Sequence, residues 1–175
     1  MSNSGLPESV DPIKFAEQNI ELEGVIPFAR FTRLAGLIRS NQSDATVWLL
    51  FGKDEQGRIF VTGSVQVDLI LECQRCLGDL SYKLKAEIGL AIVFSDDNAK
   101  NLPREYDPYL VDGYDLNIAE MVEEEILLAL PTFAYHEPGE CSVDYKADDE
   151  DDRSSDQLAE KSNPFNVLSE LKVKK

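Results

Sequence analysis

The sequence predicts an α+β domain in which an amphipathic helix covers one face of an antiparallel sheet, with short N-terminal helices and an acidic tail. Two observations predict it. Apolar and polar residues alternate over much of residues 46–94, which is typical of half-buried strands, and apolar residues recur every three or four positions over residues 116–130, which is typical of a helix. A chain of 175 residues with 43% hydrophobic content can bury one core.

The strands are separated by recognisable turns. Residues 54–57 read Asp-Glu-Gln-Gly, a composition that favours a tight turn between paired strands. Gly63 and Gly89 interrupt long strands and could let the sheet curl toward a barrel. Residues 95–115 are rich in Asp, Asn and Pro and are interpreted as a long loop. The predicted strands are residues 20–25, 46–51, 58–61, 63–71 and 81–94.

Three helices are predicted in the domain. The first begins with Asp11 as its cap and Pro12 at its first position, where proline fits the backbone. Apolar spacing predicts a second over residues 28–38, and the third covers residues 116–130 and ends at Pro131. The apolar side expected to face the sheet carries Ile118, Met121, Val122, Leu128 and, at its edge, Glu125.

The chain divides into three regions. Residues 1–143 are expected to form a single α+β domain. Residues 144–162 form an acidic segment without apolar periodicity, which predicts a disordered linker. Residues 163–175 are interpreted as a short helical motif that could bind a partner, and it ends in positive charge. The residues expected to contact that partner are Asn163, Pro164, Phe165, Leu168 and Leu171.

Charge and composition restrict the classes of function. Thirty-three acids against seventeen bases give a net charge of −16, which repels phosphate backbones and anionic lipid and favours basic partners. The N-terminal residues have no export-signal pattern, and no apolar run approaches the length of a membrane span. A cytoplasmic protein with its three cysteines reduced is therefore expected.

No pattern in the sequence indicates an enzyme. His136 is the sole histidine, and no nucleophile motif accompanies it. The glycines are scattered, so no phosphate-binding loop is predicted. Glu123 and Glu124 are interpreted as part of a solvated helix face. We therefore expect no catalytic residues and no organic cofactor.

Two short segments contain all the cysteines and the histidine of the chain. Cys73 and Cys76 have the spacing of a zinc knuckle, and His136 and Cys141 follow the third helix in a turn-rich stretch. One interpretation is a structural zinc site formed by all four residues, and the other is reduced thiols without metal. A thioredoxin-like role is less favoured, because strands flank the cysteine pair on both sides.

Several motifs, in this order along the chain, resemble the bacterial YceD family, the large ribosomal RNA subunit accumulation proteins. They are Leu-Glu-Cys-Gln-Arg-Cys at 71–76, Leu-Pro-Arg-Glu-Tyr-Asp-Pro at 102–108, Met-Val-Glu-Glu-Glu-Ile-Leu-Leu-Ala-Leu-Pro at 121–131, His136 with Cys141, and Asn-Pro-Phe with Leu168, Leu171 and Lys172 at 163–172. The resemblance implies a role in accumulation or processing of large-subunit (23S) ribosomal RNA, and it supplies no catalytic residue.

Three ways of fulfilling such a role are considered. The acidic charge favours contact with ribosomal proteins or other assembly factors of the large-subunit precursor, with rRNA contacted indirectly. Gln74 and Arg75, at the turn between the two thiols, are expected to be exposed for such contact. Alternatively, Arg75, Lys83 and Lys85 form a basic spot that binds RNA directly. A third hypothesis is a sensor that responds to zinc loss or thiol oxidation.

Overall fold

The structure is a computed structural model that describes residues 6–100, 102–103 and 106–141. These residues belong to one compact unit, Met1–Val143. The predicted linker at 144–162 and the predicted C-terminal motif at 163–175 lie outside the described residues, so both stay predictions.

A long hairpin dominates the main sheet. The strands are β1 (Ser9–Val10), β2 (Glu21–Ile26), β3 (Ser40–Asn41), β4 (Ala45–Lys53), β5 (Ile59–Glu72), β6 (Asp79–Val93), β7 (Asp107–Leu110) and β8 (Leu116–Asn117). In the main sheet they pair in the order β2, β4, β5, β6 and β7, and β3 pairs with the C-terminal part of β5. Strand β5 continues through Gly63, so the two strands predicted at 58–61 and 63–71 are one.

The sheet is open, so the expected curl toward a barrel is wrong. Strands β2 and β7 form its two edges and do not pair with each other. Strand β7 also runs parallel to β6, whereas the other neighbours are antiparallel. It contains Pro108, which has no N–H to donate to a further strand and therefore suits an edge.

The helices agree with the prediction at both ends of the domain but not in the middle. Helix α1 (Pro12–Glu17) begins as predicted, with the Asp11 carboxylate accepting from the N–H groups of Ile13 and Lys14. The helix predicted over 28–38 is replaced by two single 3₁₀ turns, Phe28–Arg30 and Leu34–Gly36. The expected loop at 95–115 contains a short helix, α2 (Asp96–Ala99), as well as β7.

One face of the main sheet is covered, and the other is more exposed except near the end of β6, where Ala91 and Val93 are also buried. Helices α1 and α3 (Ile118–Ala129) pack on the same face, because their apolar residues join a single buried cluster with the inward side chains of β4, β5 and β6. Phe15 of α1, for example, contacts Phe51 of β4 edge to face at 5.4 Å. None of the helices in the described ranges has the length and apolar character to span a membrane.

Ile118, Met121 and Val122 of α3 are buried as predicted, but the rest of its buried side differs from the prediction. Ile126 is fully buried, whereas Leu128 is 80% exposed. Glu123 is only 2% exposed, so its assignment to a solvated face is wrong. Its carboxylate accepts from the backbone N–H groups of Arg33 and Leu34 at 2.7 and 2.9 Å and pairs with the Arg33 guanidinium. These bonds fix the Leu34–Gly36 turn, which local apolar spacing could not reveal.

Candidate metal centre

The turn between β5 and β6 carries the first two cysteines. The Cys73 N–H donates to Gly78 O at 2.9 Å, and the Leu77 N–H donates to Cys73 O at 2.8 Å. Leu77 adopts a positive φ of 58°, which is uncommon for a residue with a side chain. The chain therefore turns tightly and brings both cysteine side chains toward one point. Cys73 is buried, while Cys76 is partly exposed.

The segment that follows α3 brings the other two residues. The Gln74 N–H donates to Ala134 O at 2.9 Å, which ties this segment to the cysteine turn. His136 Nε2 lies 3.0 Å from Asp79 O. A carbonyl oxygen only accepts, so in the neutral ring Nε2 carries the proton and the lone pair of Nδ1 is on the side of the sulfurs.

The four candidate ligand atoms lie within 4.8 Å of one another. The sulfurs of Cys73 and Cys141 are 3.8 Å apart, and His136 Nδ1 lies 3.4 Å from Cys76 Sγ and 3.8 Å from Cys141 Sγ. In a tetrahedral zinc site, bond lengths of about 2.3 Å to sulfur and 2.05 Å to nitrogen separate ligand atoms by about 3.6 to 3.8 Å. The donor set and its spacing therefore fit zinc.

Ionisation of the cluster is uneven. Burial opposes ionisation of Cys73, but backbone hydrogen bonds from Cys76, His136 and Arg75 outweigh it and lower the pKa of its thiol to about 5. Burial, followed by interactions with Cys73 and Cys76, raises the pKa of Cys141. The bond to Asp79 O raises the pKa of His136, and hydrogen bonds to the cysteines add to this increase. The negative charge of the Cys73 thiolate, with a thiol and an imidazole beside it, favours binding of a cation.

The arrangement also limits the chemistry that an ion could perform. Four protein ligands complete a tetrahedral shell, and catalytic zinc requires a free position for water or substrate. A zinc ion held by all four residues would join the β5–β6 turn to the segment after α3. Such an ion would have no free position for water or substrate and would serve to hold the two segments together.

The remaining predicted site residues have different positions. Gln74 and Arg75 are exposed, and the Arg75 guanidinium lies 5.4 Å from the centre of the Tyr135 ring and 3.9 Å from Cys141 Sγ. Their role in partner binding stays a prediction. The other residues predicted to bind a partner lie outside the described residues: Asn163, Pro164, Phe165, Leu168 and Leu171.

Arg39 supports the cysteine turn and was not predicted. Its guanidinium donates to Leu77 O at 2.7 Å, pairs with Glu72, and lies 3.3 Å from an Asp79 carboxylate oxygen. It therefore connects the last residue of β5, the turn and the first residue of β6. Because Arg39 is more than thirty positions from these partners in the chain, no local pattern could have indicated the contact.

Comparison with known proteins identifies the family. The model of the family described as large ribosomal RNA subunit accumulation protein YceD matches residues 61–172. The chain is also 35% identical over 175 residues to the large ribosomal RNA subunit accumulation protein YceD of Haemophilus influenzae, covering 99% of this chain and all of that protein. The chain belongs to the YceD family.

The family match begins inside β5 and includes the whole metal cluster. The resemblance inferred from the sequence motifs is thus confirmed. No solved structure matches the chain.

Proposed function

We propose that this YceD family member is a non-enzymatic ribosome biogenesis factor that supports the accumulation or processing of 23S rRNA in the cytoplasm. The observation that carries the proposal is the end-to-end similarity to a relative named for accumulation of the large ribosomal RNA subunit. The absence of a catalytic pattern in the sequence supports a role in binding and assembly rather than in chemistry.

The Cys73, Cys76, His136 and Cys141 cluster is proposed to hold one structural zinc ion. Donor type, spacing and the orientation of the His136 ring support this proposal. When bound, zinc would neutralise the thiolates and hold the segment after α3 against the turn between β5 and β6. This would keep the segment after α3 and the β5–β6 turn in one fixed conformation for binding a partner.

Contact with the large-subunit precursor is proposed to occur through basic ribosomal proteins or other assembly factors. The net charge of −16 favours a cationic protein surface over bare RNA. The alternative RNA-binding spot has less support, because Lys83 lies directly opposite Asp68 on the neighbouring strand. Lys85 projects from the same face, beside the exposed Glu87. These acidic residues offset the positive charge of the lysines and weaken their attraction for RNA phosphates.

The proposed role is tested by deleting the gene that encodes this chain in its own host and measuring the ratio of large-subunit to small-subunit rRNA. The ratio should fall in the deletion strain and recover with the intact chain. Lys83→Gln with Lys85→Gln should restore the ratio as well as the intact chain does. An unchanged ratio in the deletion strain would contradict the role, and failure of the double lysine variant alone would favour direct RNA binding.

A further inference from the structure

A groove of about 280 Å³ lies beside the candidate metal centre. One wall comes from the first residues of β6 and the other from the segment after α3. Its lining combines apolar, aromatic and acidic side chains: Leu80, Tyr82, Pro131, Phe133, Tyr135, Glu137 and Glu140.

The aromatic wall of the groove is unusually open to solvent. Phe133 is 65% exposed and Tyr135 is 47% exposed. Their rings stack with an interplanar angle of 11° and a centroid separation of 6.4 Å. The Arg75 guanidinium covers the Tyr135 ring at 5.4 Å. Exposed aromatic residues beside an arginine are typical of surfaces that bind another protein.

The rim of the groove is negatively charged. Glu137 and Glu140 are both exposed, and neither forms a salt bridge with any residue in the described ranges. Nearby Glu72 and Asp79, by contrast, are both paired with Arg39. Two acidic residues without a salt bridge in the described part of the chain thus line the groove together with aromatic residues. This combination matches a lysine or arginine side chain, whose stem packs on the rings while its head meets the carboxylates.

We propose that this groove binds an extended, basic segment of a protein partner. A lysine or arginine side chain of that segment lies between the aromatic wall and the two glutamates. The inference rests on the proposed function, because a ribosome biogenesis factor meets basic ribosomal proteins. Single-stranded RNA, which also stacks on aromatic rings, is disfavoured because its phosphates would lie beside Glu137 and Glu140. His136 and Cys141 are adjacent in sequence to Tyr135, Glu137 and Glu140. An ion bound by these two ligands would therefore fix the shape of the groove wall formed by the segment after α3.

The test uses the full-length protein and a short fluorescein-labelled peptide of alternating lysine and threonine, followed by fluorescence anisotropy. Its counterpart with glutamate in place of lysine should not bind. Glu137→Gln combined with Glu140→Gln should weaken binding of the lysine peptide by about tenfold, because two facing charges are removed. Phe133→Ala should also weaken it, since the stem of the basic side chain loses its apolar contact.

The matched control is Glu23→Gln with Glu87→Gln, which removes the same charge from exposed positions of the main sheet. This control should change affinity by less than about twofold. Equal weakening by both double variants would mean diffuse attraction and would overturn the proposal, as would binding of the glutamate peptide or no binding of the lysine peptide. The rRNA ratio of the deletion strain reports on the proposed function separately, so a groove that fails leaves that result unaffected.

Discussion

Two contacts tie distant parts of the domain together, and they do so by different chemistry. At one, the Glu123 carboxylate of α3 accepts hydrogen bonds from the backbone N–H groups of Arg33 and Leu34 and forms an ion pair with the Arg33 guanidinium. At the other, the segment after α3 meets the β5–β6 turn through three cysteines and a histidine. The first contact has donors and an acceptor that satisfy each other. The second gathers electron-pair donors around one point, an arrangement that could hold a cation.

The comparison shows two kinds of contact in one domain: one that the chain satisfies by itself, and one whose strength depends on metal and protonation. A buried carboxylate with all its partners needs nothing from outside the chain. A cluster of thiols depends on metal and on protonation, so its stability follows solution conditions. Each contact should therefore open without opening the other.

The largest effect is expected from removing the metal. A strong chelator should open the cluster and release residues 131–141, since structural zinc contributes on the order of 10 kcal/mol in small zinc-finger peptides. Amide hydrogen exchange should show lost protection at Gln74, whose N–H donates to Ala134 O. The amides of Arg33 and Leu34 should keep theirs. Loss of protection at both places would mean that the contacts are not independent.

Substitution at the other contact should give the reciprocal pattern. Glu123→Gln weakens two buried hydrogen bonds and removes a charge partner of Arg33, so the free energy of unfolding should fall by about 2 kcal/mol. Urea unfolding measures the loss, and exchange should rise at Leu34 but not at Gln74. The control is Glu124→Gln, which removes only a half-exposed ion pair with Arg33. A larger effect from the control would refute the role assigned to Glu123.

A smaller effect is expected at the support of the cysteine turn. Arg39→Met keeps the aliphatic stem but loses the hydrogen bond to Leu77 O and the ion pairs with Glu72 and Asp79. Because the guanidinium is 42% exposed and water screens both ion pairs, the free energy of unfolding should fall by less than it does in Glu123→Gln. Zinc affinity, measured by competition with a colorimetric chelator, should fall modestly as well. Unchanged affinity would show that the turn holds its shape without Arg39.

The smallest effect is expected at Glu125, a residue of α3 that belongs to neither contact. Partial burial, then the charges of Asp107 and Glu124, raise the pKa of its carboxyl group. The folded state thus binds a proton more readily than the unfolded state, and stability from this group rises as pH falls through the folded pKa. Glu125→Gln should therefore stabilise the protein at neutral pH by about 0.5 kcal/mol or less. The gain should vanish below the ordinary pKa of glutamate, and a gain that persists there would contradict this explanation.

Local patterns predicted most strands and the ends of the helices. Alternation along β5 and β6 identified the long hairpin, and Asp11 with Pro12 identified the start of α1. The same patterns failed where tertiary contacts decide the conformation. Apolar spacing at 28–38 suggested a helix, yet the segment forms two short turns instead, and hydrogen bonds from Arg33 and Leu34 to Glu123, about ninety positions away, hold the second of them.

The candidate metal centre was predictable in composition but not in detail. The spacing of Cys73 and Cys76, together with the chain's sole histidine, was enough to name the four residues. Their distances, the bond from His136 to Asp79 O and the support from Arg39 depend on how the turn and the later segment meet. The exposed stack of Phe133 and Tyr135 was also missed, because a pair of aromatic residues two positions apart fits many structures.

The metal content of the full-length protein, purified without an affinity tag and measured by inductively coupled plasma mass spectrometry, shows whether an ion occupies the cluster. We predict about one zinc per chain. A Cys76→Ser variant should lose most of it, while Lys85→Gln should retain it. Less than about a tenth of an equivalent in the unmodified protein, purified without chelators, would contradict the proposal that zinc joins the β5–β6 turn to the segment after α3.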